Sequence, residues 1–522
     1  MERWQSVDPT VIPRPPFAAD LTLEAEVAAF RELQPRLQTV WEALMMRDEE
    51  PHTSVVVPSM TLDQSELRKL DGASFYEERL LFLLIRLRNP RARVVYVTSQ
   101  PVHPLILDYY FQLLAGIPAS HARSRLTLLC AYDASPRSLT QKILDRPRLI
   151  ERIREGIHDP SRAYLTVFNS TPAERRLAVL LGIPLNGCDP DLAHLGTKSG
   201  SRKVFRQAGV PMPEGFEDLH SRTEVEESLV ELAARRPGMR RAVVKLNDSF
   251  SGEGNAIFRY PEVGGRAAVR EALQRIELPV ANETVEEFFD KFARMGGIVE
   301  EFIDAPEKVS PSAQLRISPL GDVVPISTHD QILGGPSDQV FLGCSFPARN
   351  EYRLPIQEHA QAIGEVLATY GVVSRFAVDF LLWRDEPTAP WNLAALEINL
   401  RMGGTTHPYL ALQFLTGGKL DRETGLFFSH AGNAKYYRAT DNLRSEAYRG
   451  LLPEDVIDIL TENRLHYSLA TDSGVLFHLI GAVSEFGKLG LTAIGNSREE
   501  ADALYYQTLE VLDRETAQEK PE

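Results

Sequence analysis

Phe376-Ala377-Val378-Asp379-Phe380-Leu381-Leu382-Trp383, the turn-rich Arg384-Asp385-Glu386-Pro387-Thr388-Ala389-Pro390, and Leu393-Ala394-Ala395-Leu396-Glu397-Ile398-Asn399-Leu400 decide how this chain folds. Two apolar runs on either side of such a turn read as a β-hairpin. Folding it at its middle sets Asp379 opposite Glu397. Side chains alternate faces along a strand, so Glu397, Asn399 and Arg401 share one face. Two carboxylates and an amide oxygen then converge within a largely hydrophobic sheet. Ionised carboxylates do not stay unpaired in such surroundings. A set of oxygen donors suits Mg²⁺, which keeps waters and borrows oxygens from a nucleotide phosphate. The plainer alternative is two acids on a solvated sheet face; the neighbours Val378, Phe380, Leu381, Leu396, Ile398 and Leu400 count against it.

Upstream, Arg241-Ala242-Val243-Val244-Lys245-Leu246 reads as a strand carrying one lysine. Asn247-Asp248-Ser249-Phe250-Ser251-Gly252-Glu253-Gly254-Asn255 follows, then a second strand over Ala256–Tyr260. Small residues at Ser249, Ser251, Gly252 and Gly254 let backbone N–H groups approach phosphate oxygens, and Lys245 would add a point charge. Gly252-Glu253-Gly254 reads equally as a plain hairpin turn. No Gly-Lys-Ser/Thr and no helix start follow, which excludes a Walker loop and a dinucleotide fold here. Gly196-Thr197-Lys198 opens a helix running to about Gln207, with Gly209 as its C-terminal cap. An ordinary exposed helix lysine is the other reading of Lys198. Gly297-Ile298-Val299-Glu300-Glu301-Phe302-Ile303 reads by itself as an edge strand.

The succession of these motifs, from Lys198 through Lys245, Glu300-Glu301-Phe302-Ile303 and Asp379 to Glu397-x-Asn399-x-Arg401, resembles the ATP-grasp family of carboxylate–amine ligases over roughly residues 196–420. The resemblance implies two α+β subdomains that clamp ATP. It implies that Lys198 and Lys245 contact the nucleotide and that the flap residues Ser249, Ser251, Gly252 and Gly254 cover its phosphates. The strand carrying Glu300, Glu301, Phe302 and Ile303 would lie against the adenine, with Asp304 or Glu307 as candidates for the ribose. Asp379, Glu397 and Asn399 would hold two Mg²⁺, Mn²⁺ being an alternative, and Arg401 would face the transferred phosphate. The reaction implied is activation of a carboxylate as an acyl phosphate, amide formation with an amine, and release of ADP and phosphate. Metal ions, lysine and arginine serve such a transfer by positioning and charge neutralisation.

Gln314-Leu315-Arg316-Ile317-Ser318, the run from Val323 to Gly335 containing His329-Asp330, Leu342-Gly343-Cys344-Ser345-Phe346-Pro347-Ala348 and the tail Gly474–Gly481 resemble the pheganomycin-type peptide ligases within that family. This implies joining an amino-acid-like carboxylate to the amine of an amino acid or peptide. Arg316 reads either as a catalytic residue gripping the carboxylate bidentately or as a surface arginine. His329-Asp330 reads as a proton-handling pair near the amine or as a solvated strand end. His407, after Gly403-Gly404-Thr405-Thr406, reads as lining the acyl site or as part of a turn before the helix Pro408–Leu415.

The chain has 522 residues, 43% hydrophobic and 25% charged, which allows about three domains of an ordinary soluble type. The reading divides it into an amino-terminal arm and helix (1–49), a Rossmann-like doubly wound α/β domain (50–195), the ATP-grasp domain (196–420) and a small α+β carboxy-terminal domain (421–522). Ser54–Val57, Arg93–Thr98, Leu126–Ala131 and Tyr164–Phe168 are the expected parallel strands, and Thr171-Pro172-Ala173-Glu174 an expected helix cap. A net charge of −15 with no basic run argues against a nucleic-acid surface. Cys130, Cys188 and Cys344 make neither zinc spacing nor a disulfide framework, which favours the cytoplasm. The start shows no signal pattern, and the longest apolar run, Leu80–Ile85, is too short to span a membrane. A homodimer is compatible with the tail. Two other classes remain open at this level: a small-molecule kinase on the same scaffold, and a nucleotide-binding regulatory protein without turnover.

Overall fold

The computed structural model of the protein describes residues 21–46, 49–62, 64–114, 116–248, 254–262, 265–278, 283–334 and 340–518. The first sheet is built from valine- and leucine-rich runs: β1 (Thr53–Val57), β2 (Arg93–Thr98), β3 (Leu126–Cys130), β4 (Ala163–Val167) and the short β5 (Leu185–Asn186). All pair in parallel, in the order β3-β2-β1-β4-β5. Helices cover both faces of such a sheet, and β1 and β4 are accordingly buried at every residue. The order reverses between β1 and β4, so a crevice opens at their carboxyl ends. The helical stretch expected over Leu21–Arg47 is two helices, Leu23–Leu33 and Pro35–Met46. Pro35 has no N–H to continue the first helix and a φ suited to starting the second. Thr171 and Glu174 form the expected capping box of the helix Pro172–Leu181.

The second sheet is antiparallel, in the order β6-β9-β7-β8, from β6 (Gly215–Leu219), β7 (Arg241–Leu246), β8 (Asn255–Arg259) and β9 (Gly297–Glu301). The last of these is an interior strand rather than the expected edge: it pairs with β6 on one side and β7 on the other. Gly297 permits this, since a Cβ there would stand 2.3 Å from both the Lys245 carbonyl oxygen and the Phe292 ring. Helices Arg222–Arg235 and Val285–Met295 close its core through Val225, Leu229, Phe288 and Phe292.

Among the described residues the third sheet has eleven strands. They are β10 (Glu307–Val309), β11 (Pro311–Ile317), β12 (Val323–Gly334), β13 (Val340–Phe346), β14 (Ser374–Arg384), β15 (Asn392–Asn399), β16 (Lys419–Leu420), β17 (Phe427–Phe428), β18 (Ala434–Arg444), β19 (Gly474–His478) and β20 (Lys488–Gly495). The hairpin β14–β15 takes the expected register, with Asp379 opposite Glu397 and Ala377 opposite Asn399. Helix Arg353–Thr369 buries Ile356, Ala360, Ile363 and Leu367 against this sheet. β13 bonds to β18, β18 to β20, and β20 to β19. The carboxy-terminal strands thus continue the same sheet, and residue 420 falls within it rather than between two separate sheets. Leu80–Leu84, in the helical segment Ala73–Arg88, share one apolar core with Leu476, Phe477 and Leu491. The first domain therefore packs directly on the carboxy-terminal strands. No helix among the described residues is long and apolar enough to cross a membrane.

Candidate active site

The four-stranded and eleven-stranded sheets bound a cleft of about 1270 Å³. Asp379 and Glu397 project into it from facing positions of β14 and β15. Asn399 Nδ2 donates to Asp379 Oδ2 at 3.0 Å and to Glu397 Oε1 at 3.1 Å, and Gln331 Nε2 donates to the other Asp379 oxygen at 2.8 Å. Burial, and then the neighbouring Glu397 charge, push the Asp379 pKa up. Burial acts the same way on Glu397, but Lys198, with Lys245 and Asn399, outweighs it and the net shift is downward. Two carboxylates in this proximity, one driven towards neutrality, form a place where a divalent cation would restore both charges. Turning the Asn399 amide over would present its oxygen as a third donor. Two carboxylates and an amide oxygen are hard oxygen donors, and they fit Mg²⁺, whose shell would be completed by water and phosphate.

Lys198 is the first residue of the helix Lys198–Ala208, where Thr197 Oγ1 caps the Gly200 N–H at 3.0 Å and Gly209 closes the other end at φ 66°. The Ile398 N–H donates to Ser201 Oγ at 3.0 Å, tying that helix to β15 and bringing the Lys198 ammonium onto Glu397. Lys245, on β7, pairs with Glu300 on β9. Glu300 is 2% exposed and also lies 3.5 Å from Arg202 Nη1. Beyond it, Glu301 pairs with Arg236 at 3.2 Å, and Phe302 lies under two cations, Arg241 at 3.9 Å and Lys308 at 4.9 Å. The two ribose candidates are occupied by protein groups: Asp304 bonds Arg241, and Glu307 accepts from Arg384 Nη2 at 2.9 Å.

Lys198, Lys245, Glu300, Glu301, Phe302, Ile303, Asp330, Asp379, Glu397, Asn399 and Arg401 all line this one cleft. Four expected residues, His329, His407, Arg316 and Gly254, lie elsewhere. His329 is fully buried against Tyr437, with Nε2 2.6 Å from its hydroxyl, and burial lowers its pKa to about 3. Adjacent strand residues face opposite ways, so Asp330 reaches the cleft while His329 enters the core, and the two do not act as a pair. Asp330 instead accepts from the Tyr352 hydroxyl at 2.7 Å. His407 is buried against His478, Nε2 to Nε2 at 2.7 Å, and burial holds its pKa well below the usual value. Arg316 lines a different cavity, its guanidinium 4.6 Å from the Trp41 ring. Gly254 precedes β8 outside the cleft lining, and Ser249, Ser251 and Gly252 lie outside the described residues.

The far wall carries residues the sequence reading did not single out. Arg79 Nη1 bonds Asp441 Oδ2 at 3.0 Å, with the guanidinium 4.5 Å from the Tyr76 ring and 4.8 Å from that of Phe168. Lys488 Nζ donates to the Tyr76 hydroxyl at 2.5 Å. A signal existed: Glu77-Glu78-Arg79 stands directly before the apolar run Leu80–Ile85, and charges buried there need partners.

Residues 190–279 and 267–423 match the family model described as IQCH-like, ATP-grasp, and residues 455–508 match the PGM1 C-terminal domain. The L-propargylglycine--L-glutamate ligase of Streptantibioticus cattleyicolor is 30% identical, over 86% of this chain and 92% of its own length. The IQ motif-containing protein H of Danio rerio is 24% identical over 71% of this chain, which spans 40% of that longer protein. Among solved structures, the Campylobacter jejuni biotin carboxylase in an ATP complex aligns with a TM-score of 0.54 at 12% identity, over 87% of this chain and 90% of its own. The biotin carboxylase domain of the Hydrogenobacter thermophilus 2-oxoglutarate carboxylase aligns at 0.53 and 13% identity, covering 88% and 89%. At such identities these two likenesses concern the fold alone.

Proposed function

The chain belongs to the ATP-grasp ligases, and from that premise we propose the roles of its residues and the class of its substrates. It is an ADP-forming carboxylate–amine ligase acting on small molecules. A carboxylate oxygen takes the γ-phosphoryl group and ADP leaves. The amine nitrogen then attacks the acyl carbon, phosphate leaves with the C–O electron pair, and the surplus amine proton passes to solvent. The observation that carries the residue assignment is the Asp379–Glu397 register with Lys198 bonded to Glu397.

In this reading Asp379, Glu397 and Asn399 hold Mg²⁺, with two ions and with Mn²⁺ as an alternative. The cation supplies charge neutralisation at the phosphates when bound. Lys198 and Lys245 already stand in the cleft on Glu397 and Glu300, from where each ammonium can turn to a phosphate oxygen. Arg401, lining the same cleft, faces the transferred phosphoryl group. The backbone of Glu301, Phe302 and Ile303 receives the adenine, with the Phe302 ring held by its two cations. The substrates are an amino-acid carboxylate and the amine of an amino acid or short peptide, supported by the similarity to the L-propargylglycine--L-glutamate ligase. The reading also includes a homodimer and a cytoplasmic setting, the latter supported by the free thiols of Cys130, Cys188 and Cys344.

The test is ADP release with Mg·ATP across pooled amino acids and short peptides, with mass spectrometry of the products. An amide of mass A + B − water, lost in Glu397→Gln, is the expected result. ADP with a phosphorylated product and no hydroxamate on trapping with hydroxylamine would replace the ligase by a kinase.

A further inference from the structure

A second cavity, of about 780 Å³, shares Arg401 and Phe168 with the cleft. Its other walls are the helices Pro35–Met46 and Thr406–Thr416, the end of the helical segment Ala73–Arg88, the carboxyl ends of β4 and β5, and the strands β11 and β14. Its cations are Arg86, Arg88, Arg316, Arg375, Arg401 and Lys419, while Glu49 is the single acid among its described lining residues. Arg86, Arg88, Arg316 and Arg375 form no ion pair with a described carboxylate. Arg88 Nε, Arg316 Nε and Arg375 Nη1 are buried without a hydrogen-bond partner among the described residues.

The arrangement is costly as it stands. Arg316 and Arg375 occupy directly opposed positions on antiparallel β11 and β14. Like charges so placed repel. The groups that do touch these arginines orient them without offsetting their charge. Trp41 stacks on Arg316, Tyr164 lies 5.2 Å from Arg86, and the Ser54 and Thr166 hydroxyls accept from Arg86. Burial, with Arg316 adding to it, lowers the Arg375 pKa only to about 10, so the charge persists at neutral pH. Guanidinium groups with unmet N–H donors that line one cavity are the donor set that carboxylates and phosphates accept from bidentately.

We propose that this cavity binds a small polyanion, a di- or tricarboxylate or a phosphate, between Arg316 and Arg375. The proposal stands apart from the ligase reading, because Glu397→Gln should bind the same anion as the wild type. Calorimetry and thermal unfolding of the full chain at low ionic strength, with citrate and with inorganic phosphate as probes, test it. Citrate or phosphate should raise the wild-type unfolding midpoint, and Arg375→Gln should weaken binding of that probe by at least about tenfold. Arg88→Gln and Arg375→Lys provide the same reading should Arg375→Gln fail to fold, and Mg·ATP binding checks that each variant is folded. Once the turnover assay exists, a rise in KM with citrate would identify the site as the seat of a substrate's second anionic group. An unchanged KM would identify a separate ligand, and either keeps the site. No midpoint shift with either probe, or equal affinity in wild type and a folded Arg375→Gln, would overturn it.

Discussion

The cleft and the arginine cavity share Arg401 and treat charge in opposite ways. In the cleft, Lys198 rests on Glu397, Lys245 on Glu300 and Arg79 on Asp441. In the cavity, Arg316 faces Arg375 across two strands and an indole takes the place of a carboxylate. A buried ion pair is costly to break but gains little net stability. The cleft's pairs therefore keep its charges in place until a ligand competes for them, whereas the cavity's positive field waits for a counter-charge from outside.

The largest effect expected on this contrast is in catalysis. Glu397→Gln removes the proposed metal donor and the partner of Lys198, and ADP release should fall roughly a thousandfold with the far-UV circular dichroism unchanged. A rate within tenfold of wild type would reduce the cleft's pairing to a structural device. Next in size, Lys245→Met leaves Glu300 buried beside Arg202 alone and should cost about 3 kcal/mol in urea unfolding. Adding Glu300→Gln should recover most of it; no recovery would mean that the loss comes from packing rather than from the stranded charge.

Buried groups that are neutral separate the effect of charge from that of burial. His329, His407 and His478 are all fully or almost fully buried, and burial lowers each pKa, to about 3 for His329 and His478. For His407 and His478, the charge of Arg79 works in the same direction. The unfolded chain takes up protons below about pH 6.5 that the folded state refuses, so stability should fall as pH drops from there towards 3. Each histidine contributes up to about 1.4 kcal/mol per pH unit. Unfolding midpoints against pH should therefore flatten in His478→Gln; an unaltered slope would assign the acid loss to other groups. The smallest effect is in the cavity itself. Without added anion, Arg375→Gln should change stability by less than about 1 kcal/mol, or raise it, because it removes a repulsion rather than a pair. A loss as large as that of Lys245→Met would erase the contrast between the two regions.

Much of the β14–β15 hairpin was legible. The two apolar runs, their period of two and the intervening Pro-containing turn were enough to set Asp379 against Glu397. Gly209 and Thr197 marked both ends of the Lys198 helix for the same reason, since caps depend on residues three or four positions away. The His329-Asp330 reading failed as a pair because a neighbouring position in a strand is the opposite face, and which face is core depends on the sheet's packing. Arg316 and Arg375 stood 59 positions apart with no local mark; only the strand register opposes them.

The sequence by itself determined the local chemistry of this protein: which strands and helices form, where they cap, and which acids and lysines share a face, because those depend on near neighbours. The tertiary structure alone decided that β9 lies inside its sheet, that the carboxy-terminal strands extend the sheet of Asp379 and Glu397, that Arg79 meets Asp441, and that arginines without a described carboxylate partner line a second cavity. Each of these joins segments distant in the chain. Burial and the pairing of charge are set by what packs against a residue, and no local pattern carries that information.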